Sequence, residues 1–171
     1  MTVGKPMSAK DGEPMHNATL YRSTIGALQY LCNTRPDIGY AINKLSQFLQ
    51  APTTVHWSGV KRVLRYLQGM KQQGLHISCS SRLVLKRFSD ANWACCPNDR
   101  RSIADHCVFF GYSLVSWSSK KYHVVSRSST ELEYRALAHV AVDISWNESL
   151  LKEIGFPLTM TSVTWCDNVT P

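Results

Sequence analysis

The sequence predicts a protein of the α+β or α/β class: a helical segment first, then a mixed sheet made of an antiparallel three-strand meander, a long helix and a parallel strand. Three observations lead there. Apolar residues recur at helical spacing from Leu20 to about Gly69. Short apolar runs bounded by turn residues then replace that rhythm from Leu83 to Trp117. A helical stretch from about Thr130 to Glu153 finally separates those runs from one more, Ser162–Cys166.

Each element has its own signal. Residues 1–18 are rich in Gly, Pro, Lys and polar side chains and read as a linker. Leu20, Ile25, Leu28 and Leu31 mark a first helix. Asn33–Pro36 breaks it, and Pro36 suits the first turn of a second helix with the stripe Ile38, Ile42, Leu45 and Leu49. Thr53 or Thr54 caps a third helix, whose expected inner face is Trp57, Val60, Leu64 and Leu67. Lys61, Arg62 and Arg65 fall mostly on its other faces, as a solvated surface or a phosphate-contacting one. The helical segment spans residues 19–80, and the sheet-bearing segment 83–171. Gly74–Ile77 is short and extended, Ser80-Ser81 suggests a turn, and Leu83–Asp90 is a strand. Asn92–Arg101 is a polar turn region, and Cys107–Phe110 with Leu114–Trp117 flank Gly111 as a hairpin. Gly155 and Pro157 stop the long helix.

Composition sets limits. The chain has 171 residues, 44% of them hydrophobic, with five Trp and seven Tyr, so it is rich enough in aromatics to fold. A net charge of +7 favours an acidic partner such as nucleic acid, or simply a basic surface. The six cysteines form no CxxC pair, which argues for reduced thiols rather than a zinc site. No apolar run reaches the ~20 residues of a membrane span. The expected setting is intracellular, not secreted and without membrane contact.

Strand order brings acids together. Asp90 ends the first strand, and Asp167 follows the last. A right-handed helical crossover lets the last strand pair in parallel with the first, which puts both acids at one sheet edge. Glu133 shares a helix face with Leu137, Val140 and Ile144, and an acid on a core-facing stripe is costly unless it is paired or holds a metal. Thr130 and Glu133 also fit a capping box, but so do Ser128 and Glu131, which would leave Glu133 unused by the cap. Carboxylates suit magnesium or manganese, and two such ions can clamp an in-line phosphodiester displacement.

The segments Tyr21–Leu31 (YRSTIGALQYL), Thr34–Ile38 (TRPDI), Leu45–Phe48, Ala51–Thr53 and Lys61–Leu67 (KRVLRYL) resemble Ty1/copia-type retrotransposon Pol polyproteins between the polymerase palm and RNase H. Ser89–Ala94 (SDANWA), Asp99–Ser102, Val115–Lys121 (VSWSSKK), Ser126–Leu137 (SRSSTELEYRAL) and Trp165–Asn168 (WCDN) resemble the RNase H domain of the same polyproteins. The resemblance implies the C-terminal end of a reverse transcriptase joined to the first part of an RNase H-like domain. It implies that Asp90, Glu133 and Asp167 match the first three metal-binding acids, served by Mg2+ or Mn2+ in a two-metal site. The implied activity is cleavage of RNA in RNA–DNA hybrids, with the hybrid and the rest of the polyprotein as partners. Ser118, Ser119, Lys120 and Lys121, with Lys61, Arg62 and Arg65, are candidate nucleic-acid contacts, against the plainer reading of a polar turn and a solvated surface.

Three departures qualify this. The family's fourth acid lies downstream of Pro171, so the chain is expected to be a truncated domain, inactive by itself. Asn92 stands where the family usually has a second Asp, and Cys95 where it has Gly. Ile103-Ala104-Asp105 replaces a Gly-containing run, with backbone strain expected wherever positive φ was needed. The competing readings are a non-catalytic nucleic-acid-binding module and a retroelement remnant without cellular function.

Overall fold

A computed structural model describes residues 7–80, 83–156, 158 and 160–166. It divides into two compact units. One contains the described residues up to Leu75 together with Cys96–Asp99, and the other contains His76–Cys95 and the described residues from Arg100 onward.

The first unit is built on α1 (Ala18–Leu31), a 3-10 turn (Pro36–Ile38), α2 (Gly39–Ser46) and α3 (Thr54–Gly69). Asn17 caps α1 by accepting from the Leu20 amide at 2.9 Å. Tyr21, Ile25, Leu28, Ile38, Ile42, Leu45, Val60 and Val63 form the core. The buried Tyr21 hydroxyl donates to the Leu45 carbonyl at 2.8 Å, and burial pushes its pKa up to about 12. Glu13-Pro14-Met15, within the expected linker, lies along the start of α3: Met15 N donates to Pro52 O and Thr54 N to Glu13 O, each at 2.9 Å.

The TRPDI run has a physical reason. Pro36 opens the 3-10 turn, and Arg35, 7% exposed, grips Asp37 with two hydrogen bonds of 2.9 and 2.7 Å. Its remaining donors reach the carbonyls of Met70 and Gln73, and Tyr66 donates to the same carboxylate at 2.8 Å. Thr53 caps α3 as expected, but the inner face is turned by one residue. His56, Val60 and Val63 are buried, and Leu64 is 40% exposed. The cause is His56: Nδ1 accepts from the Thr53 amide at 3.0 Å, which leaves Nε2–H to donate to Ser8 O, and the ring stacks on Phe48 at 3.8 Å. That satisfied imidazole takes the place expected of an apolar side chain.

The second unit holds β1 (Leu85–Asn92), β2 (Ile103–Phe110), β3 (Ser113–Lys121), α4 (Ser129–Glu153) and β4 (Val163–Cys166), with strand order β3-β2-β1-β4. β1, β2 and β3 are an antiparallel meander, and β4 pairs in parallel with β1 after the α4 crossover. This is the expected RNase H-like mixed sheet. Gly111 takes φ 62° at the first position of a two-residue turn between Phe110 and Ser113, where a side chain would be strained. Ser128 caps α4 through the Glu131 amide, while Glu131 accepts from the Arg127 amide at 2.8 Å. Glu131 is therefore the capping acid. At the other end, Gly155 at φ 84° and the Phe156 amide bonded to Leu151 O make a Schellman stop. Pro157 and Ser81 lie outside the described residues.

Two expectations are corrected. The buried stripe of α4 is Leu132, Ala136 and Val140, while Glu133, Leu137 and Ile144 are only half-buried on its shoulder. The helix is rotated toward the residue before Glu133 because Arg87, 1% exposed, reaches up from β1 to the Val140 carbonyl and beside Asp143. Backbone strain also falls elsewhere than expected. Ile103-Ala104-Asp105 is regular strand, whereas Ala94 (φ 49°) and Arg100 (φ 55°) occupy the left-handed region.

Candidate functional site

Alternation along β1 decides which side chains meet. Leu85, Arg87 and Ser89 are buried, and Lys86, Phe88 and Asp90 are exposed. Asp90 stands on this second face, two residues before the end of β1, which runs on to Asn92 rather than ending at Asp90 as expected. Its carboxylate accepts from the Ala91 amide at 2.7 Å and from Asn92 Nδ2 at 3.2 Å. Asn92, which stands in place of an expected acid, thus acts as a hydrogen-bond donor to Asp90.

Glu133 lies in the first turns of α4, half-buried beside Leu132, which is fully buried. Asp167 lies outside the described residues. The parallel ladder sets Lys86 opposite Val163 and ends with Ser89 opposite Cys166. Asp90 and Asp167 are the next residues of the two strands in sequence. Among the described residues, no group of three His, Cys, Asp or Glu side chains is arranged to hold a metal.

A further acid is present that the sequence reading passed over as a lost glycine. Asp105 of β2 is the direct cross-strand partner of Asp90, so both project from one face. Ser119, its partner on β3, hydrogen-bonds the carboxyl, yet Oδ1 is buried with no hydrogen-bond partner. Burial raises the Asp105 pKa, the Ser119 bond lowers it, and the negative Asp90 raises it further. An open cleft of about 460 Å³ is lined by Phe88, Asp90, Asp105, Cys107 and Trp165, among others. The only signal for this pair in sequence was register, which requires the β1–β2 pairing to be known.

The orphaned Asp105 oxygen beside an exposed carboxylate is the donor chemistry a hard divalent cation takes, oxygen ligands with room for water. Asp90 and Asp105 thus offer oxygen donors of the kind such a cation takes.

The basic candidates fall in both units. Lys61, Arg62 and Arg65 are exposed on α3, where the Lys61 ammonium lies 6.0 Å from the Trp57 ring centroid and Arg65 Nε bonds back to the Lys61 carbonyl. Ser118 to Lys121 belong to β3 rather than a turn, because pairing with β2 runs on to Lys121 opposite Ile103. Cys32, Cys79, Cys96, Cys107 and Cys166 are not disulfide-bonded. Among the described residues no helix is long and apolar enough to cross a membrane.

The fold defines the class: an RNase H-like mixed sheet with Asp90 near the end of β1. Over 169 residues, 99% of the chain, the sequence is 43% identical to the retrovirus-related Pol polyprotein from transposon RE2 and 44% to that from transposon RE1, both of Arabidopsis thaliana. The chain spans about 12% of the length of each. Over 127 residues it is 42% identical to secreted RxLR effector protein 161 of Plasmopara viticola, a match covering 74% of this chain and 89% of that protein. No protein-family model matches the chain, and no solved structure does. The chain belongs to the Pol polyproteins of copia-type retrotransposons.

Proposed function

We propose that this chain supplies the carboxylate edge of a metal-dependent ribonuclease H site, which cleaves the RNA strand of an RNA–DNA hybrid as part of a Pol polyprotein. The observation that carries this reading is the parallel pairing of β4 with β1 ending at Ser89 and Cys166, immediately before Asp90 and Asp167 in sequence.

Asp90, Glu133 and Asp167 would hold Mg2+ or Mn2+. Bound there, such ions lower the pKa of a water and stabilise the leaving oxygen of an in-line displacement. The chain's own residues do the positioning. Asn92 and the Ala91 amide fix the Asp90 carboxylate by hydrogen bonds to both oxygens. Asp105 adds a second carboxyl at the same edge, and the Glu131 cap leaves Glu133 out of the capping role. Recognition of the hybrid rests on groove shape, phosphates and 2′-hydroxyls. Lys61, Arg62, Arg65 and Ser118–Lys121 are the proposed contacts.

The test is a labelled hybrid incubated with the chain and with Asp90→Asn, each with and without magnesium. Any cleavage by the chain is expected to require magnesium and to vanish in Asp90→Asn. Cleavage that survives the substitution overturns the site. Salt-sensitive hybrid binding with no cleavage in either protein favours a binding module instead.

A further inference from the structure

A second feature of the sheet-bearing unit lies on the opposite face of the sheet, under α4. A cleft of about 260 Å³ is lined by His106 of β2, Ser118 and Lys120 of β3, His123, and His139 and Asp143 of α4, among others. At about 30 Å³ per water in the liquid, it has room for several waters or one tetrahedral oxyanion.

The electrostatics of this cleft are unbalanced. Behind it, Arg87 is 1% exposed, and its Nε and Nη2 are buried without hydrogen-bond partners. Among the described residues, the carboxylate paired with that guanidinium is Asp143, at 3.9 Å and half exposed. Asp143 also serves His106, whose Nε2 lies 3.5 Å from the same oxygen. One carboxylate is thus shared between a permanent cation and an imidazole. Burial depresses the His106 pKa, and Arg87, Lys120 and His139 depress it further, opposed by Asp143 alone.

We propose that this cleft is an oxyanion site that takes a phosphate group, held by Lys120, His139 and His106 with Ser118 as a hydroxyl donor and Arg87 as the buried charge behind them. Lys120, His106 and His139 converge on the cleft from two strands and a helix, which a merely solvated surface does not require. The position is also near the strand end that carries Asp90. Lys120 pairs with Ala104, which pairs with Ala91, so Lys120 sits one residue along and two strands across from Asp90. At the usual strand spacing that is about 10 Å. Lys120 and Asp90 stand on opposite faces of the sheet, so a strand that engaged both would have to pass around the sheet's end. That role in gripping a strand rests on the nuclease reading, whereas the oxyanion site does not.

The experiment is an NMR titration of the full chain, following the imidazole resonances of all six histidines without divalent metal. Inorganic phosphate at constant ionic strength is expected to shift His106 and His139 saturably and to leave His16 and His76 in place. Lys120→Gln and His139→Gln are each expected to weaken that response at least several-fold, with their unperturbed amide spectra verifying the fold. No shift of His106 and His139, or the same shift with chloride, overturns the site. A short RNA–DNA hybrid is the second arm. Displacement of bound phosphate by the hybrid supports the strand-gripping role, and simultaneous binding of both assigns the cleft to free phosphate and overturns that role. Cleavage plays no part in either readout, so a failed nuclease assay leaves this result standing.

Discussion

Replacing Arg87 with methionine is expected to stabilise the sheet-bearing unit. Arg87 is buried to 99% under α4, with one exposed percent. Two of its donor atoms have no partner, and each unsatisfied buried donor costs ~1–3 kcal/mol. Against this stand the charge-assisted bond to the Val140 carbonyl, about 1.5–3 kcal/mol, and the Asp143 pair, which at 3.9 Å and half exposure contributes ~0.2–1 kcal/mol. The balance is a net cost on the order of 1 kcal/mol. Methionine keeps the unbranched stem and its packing without the charge. Urea unfolding followed by tryptophan fluorescence is the assay, since Trp93, Trp117, Trp146 and Trp165 all belong to this unit. The expected gain is about 1 kcal/mol, or roughly 4–8 °C in the Tm of a unit this small. The same substitution is expected to weaken phosphate binding in the cleft. A loss of more than about 1 kcal/mol would show that Arg87 is a net tether of α4, and would refute the reasoning.

Other outcomes follow from the same geometry. Ala94→Gly and Arg100→Gly each relieve a left-handed residue and are expected to raise stability by about 0.5–1 kcal/mol, measured by urea midpoint; a loss would contradict the strain assigned there. Asp105 has a raised pKa in the fold, so its carboxyl contributes most below the unfolded value and loses that contribution as pH rises through the folded one. Asp105→Asn is therefore expected to stabilise the unit at pH 7, with the gain disappearing in acid below about pH 4; a pH-independent effect would point to packing instead. Asp37 is the opposite case. The Arg35 and Tyr66 hydrogen bonds hold its pKa down, so its stabilisation is present above the unfolded value of 3.8 and is lost as pH falls through the lower folded one. Asp37→Asn is expected to lower the helical unit's stability at pH 7 and to flatten its acid limb in circular dichroism melts; an unchanged acid limb would remove Asp37 from its cause.

Much of the topology was legible because run length and turn chemistry carry it. Gly111 between two apolar runs gave the hairpin, and a single long helix before Val163–Cys166 left a parallel crossover as the natural connection. Ser128 with Glu131 was one of two capping-box spacings legible in the sequence, and it is the one that forms. Helix phase was less legible. In α3 a polar His56, satisfied by Thr53 and Ser8, occupies the core, and in α4 a buried Arg87 draws Val140 and Asp143 toward the sheet. Periodicity counts apolar residues, so it cannot anticipate a buried polar side chain whose partners are distant in sequence. Asp105 was missed for the same reason, since its meaning depends on standing opposite Asp90. The strain near the altered turn was legible in kind but not in place, because left-handed φ belongs to a position in the loop rather than to the position of a replaced glycine.

The central claim is that Asp90, Glu133 and Asp167 hold a divalent metal. Mn2+ added in small amounts to the isotopically labelled chain tests it most directly, through paramagnetic broadening of amide signals. The expected result is selective loss of the signals around Asp90, Glu133 and Asp167, reversed by excess Mg2+ and abolished in Asp90→Asn. Broadening that spares Glu133, or that persists unchanged in Asp90→Asn, would contradict the assignment.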